Sequence, residues 1–213
     1  MSRPKKEEVK EENNKENEEA TDEPINENVE VQKFTDVSEN DWFGSAVEEM
    51  SRRKIMQGVS ESEFSPHTTV TRAMLVTMLY RMAQEPEAKT SPFADVVGGS
   101  YYENAVSWAH ENKIVNGVSE TEFAPDAEVS REQLAAIMYR YAQYTGDNAE
   151  LSGEATGFED AAEISDWAKT AVDWAQSVGL INGVSEFEFA PKNAATRAQT
   201  AVIFVRFLDM AEV

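Results

Sequence analysis

The chain has no cysteine, only two histidines, little positive charge and no long apolar run. Without cysteine there is no disulfide framework, no thiolate nucleophile and no thiolate metal site, while reducing and oxidising compartments both stay open. Nineteen Lys and Arg face 40 Asp and Glu, a formal net charge of −21. That balance argues against holding nucleic acid or an anionic bilayer through a broad basic field. No stretch is apolar for long enough to span a bilayer, and the N-terminus lacks the apolar core of a secretory signal. Either the protein stays inside the cell or Met1 begins a processed or excised fragment. His67 and His110 occupy unrelated positions, so no catalytic triad, zinc motif or phosphate-binding glycine loop assembles, and no cofactor is expected.

One segment occurs three times: Gly58-Val-Ser-Glu-Ser-Glu-Phe64-Ser-Pro66, Gly117-Val-Ser-Glu-Thr-Glu-Phe123-Ala-Pro125 and Gly183-Val-Ser-Glu-Phe-Glu-Phe189-Ala-Pro191. Each copy sits in a longer matching frame. Phe34-Thr-Asp36, Phe93-Ala-Asp95 and Phe158-Glu-Asp160 lie upstream, and Thr71-Arg72, Ser130-Arg131 and Thr196-Arg197 downstream. Fixed-period self-similarity marks a repeat architecture. The boundaries read as repeats at 34–86, 87–146 and 158–213, with a linker at 147–157. Residues 1–33 carry 6 basic and 11 acidic residues with few large apolar side chains. Such a composition cannot offset chain entropy by burial, so a disordered acidic linker is expected there.

Within each repeat the apolar spacing predicts two helices. The first opens near an aromatic: Trp42, Ala46, Val47 and Met50 share one face, as do Tyr101, Ala105, Val106 and Ala109, and Trp167, Ala171, Val172 and Ala175. Gly58, Gly117 and Gly183 then end the segment or admit a positive φ. The second helix follows a hydroxyl N-cap at Thr71, Ser130 or Thr196. Gln133 and Gln199 complete capping boxes, whereas Met74 cannot. The second helix of repeat three is apolar nearly all round, which predicts deep burial. The reading is a mainly α fold of three tandem helix-loop-helix repeats whose second helices share one bundle.

Six arginines recur in register. Arg81, Arg140 and Arg206 fall where a last-turn arginine complements the helix dipole, a structural role. Arg72, Arg131 and Arg197 sit at the opposite, unfavourable end of the dipole. A carboxylate or phosphate bound by their forks and the adjoining helix terminus would explain them, and so would an ion pair with Asp36, Asp95 or Asp160 of the same unit. Trp42, Tyr101 and Trp167 read first as core, with an edge available to a ligand. The loop pairs Glu61/Glu63, Glu120/Glu122 and Glu186/Glu188 lack the ligand series of a calcium loop and read as solvated charge. Nothing marks one acid as proton donor and another as nucleophile, so a glycosidase has no support.

Phe-x-Asp, an aromatic before Ala-Val, Ile-x-x-Gly, Phe-x-Pro and then Thr-Arg-Ala or Ser-Arg-Glu together resemble three tandem S-layer homology domains, over residues 34 to about 210. The resemblance implies a pseudo-threefold trimer within one chain, around a central three-helix bundle, with grooves between repeats. It implies a non-catalytic module that anchors surface proteins non-covalently to the bacterial cell wall. The ligand would be secondary cell wall polysaccharide, often through a pyruvylated N-acetylmannosamine end group. It assigns ligand contact to Arg72, Arg131 and Arg197, with Trp42, Tyr101, Trp167, Gly58, Gly117 and Gly183 helping to shape the grooves. The chain departs from the family pattern where Met74, Gln133 and Gln199 replace the motif glutamate, and where the loop reads Ser-Glu-x-Glu. The alternative is an assembly module that binds protein rather than glycan.

Overall fold

Six α-helices and no strand form among the residues described by the computed structural model, 32–147 and 157–211. They are α1 (Gly44–Arg52), α2 (Arg72–Met82), α3 (Glu103–Glu111), α4 (Arg131–Thr145), α5 (Lys169–Ser177) and α6 (Arg197–Ala211), with one turn of 3-10 helix at Ala161–Glu163. All but the last two residues of the expected acidic linker, and residues 148–156 of the linker between repeats two and three, lie outside the described residues.

The second helices start where the caps predict. The Ser130 and Thr196 hydroxyls accept from the Gln133 and Gln199 N–H groups (3.3 and 3.2 Å), and each Gln side chain accepts in return from the cap's own N–H. Thr71 accepts from Met74 N–H at 3.3 Å without the return bond. The first two N–H donors of each second helix go to the loop of another repeat. Arg72 and Ala73 donate to Ala127 O and Pro125 O, Arg131 and Glu132 to Asn193 O and Pro191 O, and Arg197 and Ala198 to Thr68 O and Pro66 O. Just upstream, Val70 N–H donates to Ala195 O (2.9 Å), Ala195 N–H to Val129 O (2.9 Å) and Val129 N–H to Val70 O (3.0 Å). This bond set returns to its start, so repeat three hands back to repeat one.

Helix packing follows the same order, with α2 on α3, α4 on α5 and α6 on α1. Small residues on the first helices, Ala46, Ala105, Ala109, Ala171 and Ala175, admit that close approach and are all buried. Where second helices meet one another, aromatic rings do the bridging, as between Tyr141 and Phe207 at 5.3 Å. A single apolar cluster runs through all three repeats.

Three local expectations are corrected. Each first helix begins two residues after its aromatic, at Gly44, Glu103 or Lys169. Each ends through a left-handed residue, Lys54 (φ 58°), Lys113 (φ 59°) or Gly179 (φ 71°), four residues before the motif glycine. Gly58, Gly117 and Gly183 are glycines because of close approach: a Cβ at Gly117 would meet Ser119 O, Glu122 O and the edge of the Phe93 ring, and the other two meet equivalent neighbours. α6 is also no deeper than α4, since Val202, Val205 and Leu208 are only partly buried.

Candidate functional site

The motif aspartates organise the loops. Asp36 accepts from Phe64 and Ser65 N–H (2.9 and 2.7 Å), Asp95 from Phe123 and Ala124 (2.8 and 2.7 Å), and Asp160 from Phe189 and Ala190 (2.9 and 2.6 Å). The second residue of each pair has positive φ, so the carboxylate fixes a conformation that a non-glycine residue adopts at a cost. Burial alone would raise the Asp36 and Asp95 carboxyls, but the backbone donors, with Arg197 and Arg72 nearby, hold both below the ordinary carboxylate value.

Each loop held this way receives the arginine that opens the second helix of another repeat. Arg72 donates from Nε to Phe123 O (2.8 Å) and from Nη2 to Asn116 O (2.7 Å). Arg131 does the same to Phe189 O (2.7 Å) and Asn182 O (2.8 Å), and Arg197 to Phe64 O (2.8 Å) and Gln57 O (2.6 Å). Each guanidinium also lies over the ring of that same phenylalanine, 4.3–5.0 Å from its centroid. Arg131 and Arg197 are 4% exposed. Burial pushes all three below the usual arginine value, opposed by the charge of Asp95, Asp160 or Asp36. The acid facing each arginine therefore belongs to another repeat, not to the same unit, and it is engaged mainly with backbone N–H groups.

This geometry revises how an anion could be held. The helix N-terminal donors are occupied by loop carbonyls, and the Nε/Nη2 edge of each fork is occupied as well. Nη1 has no acceptor among the described residues, so one nitrogen per buried arginine is left for a ligand.

A second arginine supplies the complement. One groove, of about 490 Å³, is lined by Arg131, Gly183, Gln199, Arg206 and Trp42, and another, of about 160 Å³, by Arg72, Gly117, Gln133, Arg140 and Trp167. Each draws on all three repeats. The matching positions at the third junction are Arg197, Gly58, Met74, Arg81 and Tyr101, where burial raises the Tyr101 hydroxyl and the charge of Arg81 opposes the shift. The structure thus brings six of the nine sequence candidates together in two grooves, and at the third junction it sets Arg197 on the carbonyl of Gln57, next to Gly58, and Tyr101 near Arg81. It adds Gln133, Gln199, Arg140 and Arg206, which sequence reasoning passed over. The recurrence of the second arginine in register was the available signal, but the dipole argument explained it away. That argument fails for two of the three, because α4 and α6 run on to Thr145 and Ala211 and leave Arg140 and Arg206 mid-helix.

The aromatics are not core. Trp42, Tyr101 and Trp167 are 64%, 64% and 57% exposed, while the neighbouring Phe43 and Ala168 are the buried partners. The loop glutamates are exposed. Among the described residues no group of three or more His, Asp or Glu could hold a metal ion, and no helix is long and apolar enough to cross a membrane.

Three stretches of the chain, residues 33–73, 92–135 and 157–201, match the family model of the S-layer homology domain. The chain is 35% identical over 178 residues to the exoglucanase XynX of Acetivibrio thermocellus, covering 83% of this chain and 16% of that protein. It is 33% identical over 177 residues to an amylopullulanase of Thermoanaerobacterium thermosulfurigenes (83% and 9%). It is 29% identical over 190 residues to the surface-layer 125 kDa protein of Lysinibacillus sphaericus (87% and 16%). The chain spans less than a fifth of the length of each of these relatives.

Proposed function

The chain belongs to the S-layer homology domain family, and on that premise we propose that it is a non-catalytic module that anchors a larger protein to the bacterial cell wall by binding an acidic wall polysaccharide in the grooves between its repeats. The observation that carries this reading is the pairing of two arginines with an exposed aromatic ring and a glycine-lined backbone in each groove, in a protein with 13 basic against 29 acidic residues from position 34 onward. A saccharide that carries a carboxylate, such as a pyruvyl ketal, meets those groups: the ring stacks on the sugar face, and Nη1 of the buried arginine with the half-buried Arg140 or Arg206 takes the charge. Arg72, Arg131, Arg197, Trp42, Tyr101, Trp167, Gly58, Gly117 and Gly183 are the proposed contacts, extended by Arg140, Arg206, Gln133 and Gln199.

An exoglucanase, an amylopullulanase and a surface-layer protein share similarity to this chain over most of its length. What proteins of such different names share is more naturally an address than a catalytic site, which supports a surface location and a role without turnover. Co-sedimentation with purified wall sacculi, before and after acid stripping of the polysaccharide, tests the reading. Binding should be lost on stripping, and undiminished binding to stripped peptidoglycan refutes it. The assembly alternative draws on the exposed Val59, Val118, Val184 and Phe187; its signature is self-association without glycan, measured by light scattering.

A further inference from the structure

Glu132, the second residue of α4, is a carboxylate with 4% exposure. Its oxygens accept from Ser165 N–H (2.9 Å), from Ser165 Oγ (3.1 Å) and from Lys192 Nζ (2.6 Å), and Lys192 donates to Ser165 Oγ as well (2.6 Å). The equivalent positions of α2 and α6 hold Ala73 and Ala198, so this cluster occurs at one junction only. Burying a carboxylate is costly, and a buried ion pair often adds no net stability over an apolar substitute. Its value is therefore better sought in geometry.

Ser165 opens a turn that Ala168 N–H closes on Ser165 O at 2.8 Å, and Trp167 stands inside that turn. Trp167 shares its groove with Arg72, Gln133 and Arg140, the last two carried by the same helix as Glu132. The bond from Glu132 thus ties the aromatic lip of the groove to its wall. In the other repeats, among the described residues, the side-chain ties of the segment before the first helix come from the same repeat: Asp41 accepts from Ser38 N–H (2.8 Å), Ser38 Oγ from Asn40 N–H (3.2 Å) and Glu103 from Gly99 N–H (2.6 Å). The tied groove is also the smaller of the two in volume, about 160 against 490 Å³.

We propose that Glu132, with Ser165 and Lys192, is a positioning residue that holds Trp167 over the Arg72 groove, so that this groove is preorganised for its ligand while the Trp42 groove remains adaptable. The inference deepens the glycan reading and rests on it only for the binding consequence. Preorganisation reduces the ordering cost of binding.

Relaxation measurements on the indole N–H groups of the whole 213-residue chain separate Trp167 from Trp42. The Trp167 order parameter is expected near the rigid value of about 0.85 in the wild type and in Glu132→Gln, which keeps an acceptor for Ser165, and below about 0.6 in Glu132→Ala. Trp42 should not change. Titration with pyruvylated N-acetylmannosamine should then need at least about fivefold more sugar to shift Trp167 in Glu132→Ala, with Trp42 again unchanged. Equal order at Trp167 in all three proteins, or loss of order at both indoles, overturns the proposal. If the sugar shifts neither indole in the wild type, the glycan reading falls, and the order parameters still decide whether Glu132 holds Trp167. Should Glu132→Ala fail to fold, Glu132→Met fills a similar volume without offering Ser165 an acceptor and takes its place with the same readings.

Discussion

The collar of bonds that Arg72, Arg131 and Arg197 make to the loop carbonyls of neighbouring repeats lies beside the grooves, yet the two have diverged to different degrees. In the collar, the bonds from the arginine Nε groups of the three repeats measure 2.7–2.8 Å and those from Nη2 measure 2.6–2.8 Å, to carbonyls at the same loop positions. At the groove lips the three repeats disagree: Trp42 and Trp167 against Tyr101, Gln133 and Gln199 against Met74, and a buried Glu132 against Ala73 and Ala198. Closing a ring of three repeats demands the same bonds at every junction, so the collar has little room to vary. A groove that meets a ligand can differ from its neighbours without opening the ring.

The largest test of this contrast removes residues 158–213. The loss takes away Ala195, which accepts from Val70 and donates to Val129, and it strips α5 from α4 and α6 from α1. A fragment of residues 34–157 is therefore expected to show no cooperative thermal melt by circular dichroism. A sharp melt would make repeats one and two independent of ring closure.

Next in size is Arg197→Ala. It leaves the carbonyls of Phe64 and Gln57 without their charged donor and removes the guanidinium from the Phe64 face. At roughly 1.5 kcal/mol for each charge-assisted bond the loss should be about 3 kcal/mol, read from the urea midpoint. A shift under 1 kcal/mol would move Arg197 out of the collar and into the ligand site alone. Gly117→Ala should cost about 2 kcal/mol by the same measurement, because two of the atoms its Cβ meets are backbone oxygens that cannot rotate away. A neutral substitution there would show the loop to be softer than the collar account allows.

Acid should have a smaller, graded effect. Asp36 and Asp95 titrate lower in the folded protein than in the unfolded chain. Their contribution is fully present above the unfolded carboxyl value, near pH 4, and is lost as pH falls through the folded value. Urea midpoints should therefore drop below about pH 4. With Asp95→Asn the drop should be shallower; an unchanged slope would remove the aspartates from the loop's support.

Legibility in the sequence follows the same division. The helix caps were readable because they are local: Ser130 with Gln133 and Thr196 with Gln199 lie within one helical turn. The ring order was not, since the partners of Arg197 are 133 and 140 residues away. Trp42 and Trp167 looked like core because an apolar ring one turn before Ala46 or Ala171 fits a helical face. The helix in fact starts two residues later, and Phe43 or Ala168 takes the buried place. Glycine at 58, 117 and 183 was assigned to backbone freedom, whereas its cause is a neighbouring loop oxygen and a phenylalanine ring that only the folded chain brings close. Arg140 and Arg206 fall outside the last turn because helix length, not spacing, decides whether an arginine meets the dipole.

The central claim, that the inner arginines hold the ring through Nε and Nη2 and share the ligand's charge with an outer arginine that the ring does not need, is tested most directly by Arg140→Ala, with sacculus binding and the urea midpoint measured on one preparation. Arg140 lines the groove beside Arg72, Gln133 and Trp167. The account predicts that binding weakens about tenfold, the equivalent of one lost charge-assisted contact, while the midpoint shifts by less than about 0.5 kcal/mol. Unchanged binding with a large fall in the midpoint would contradict it.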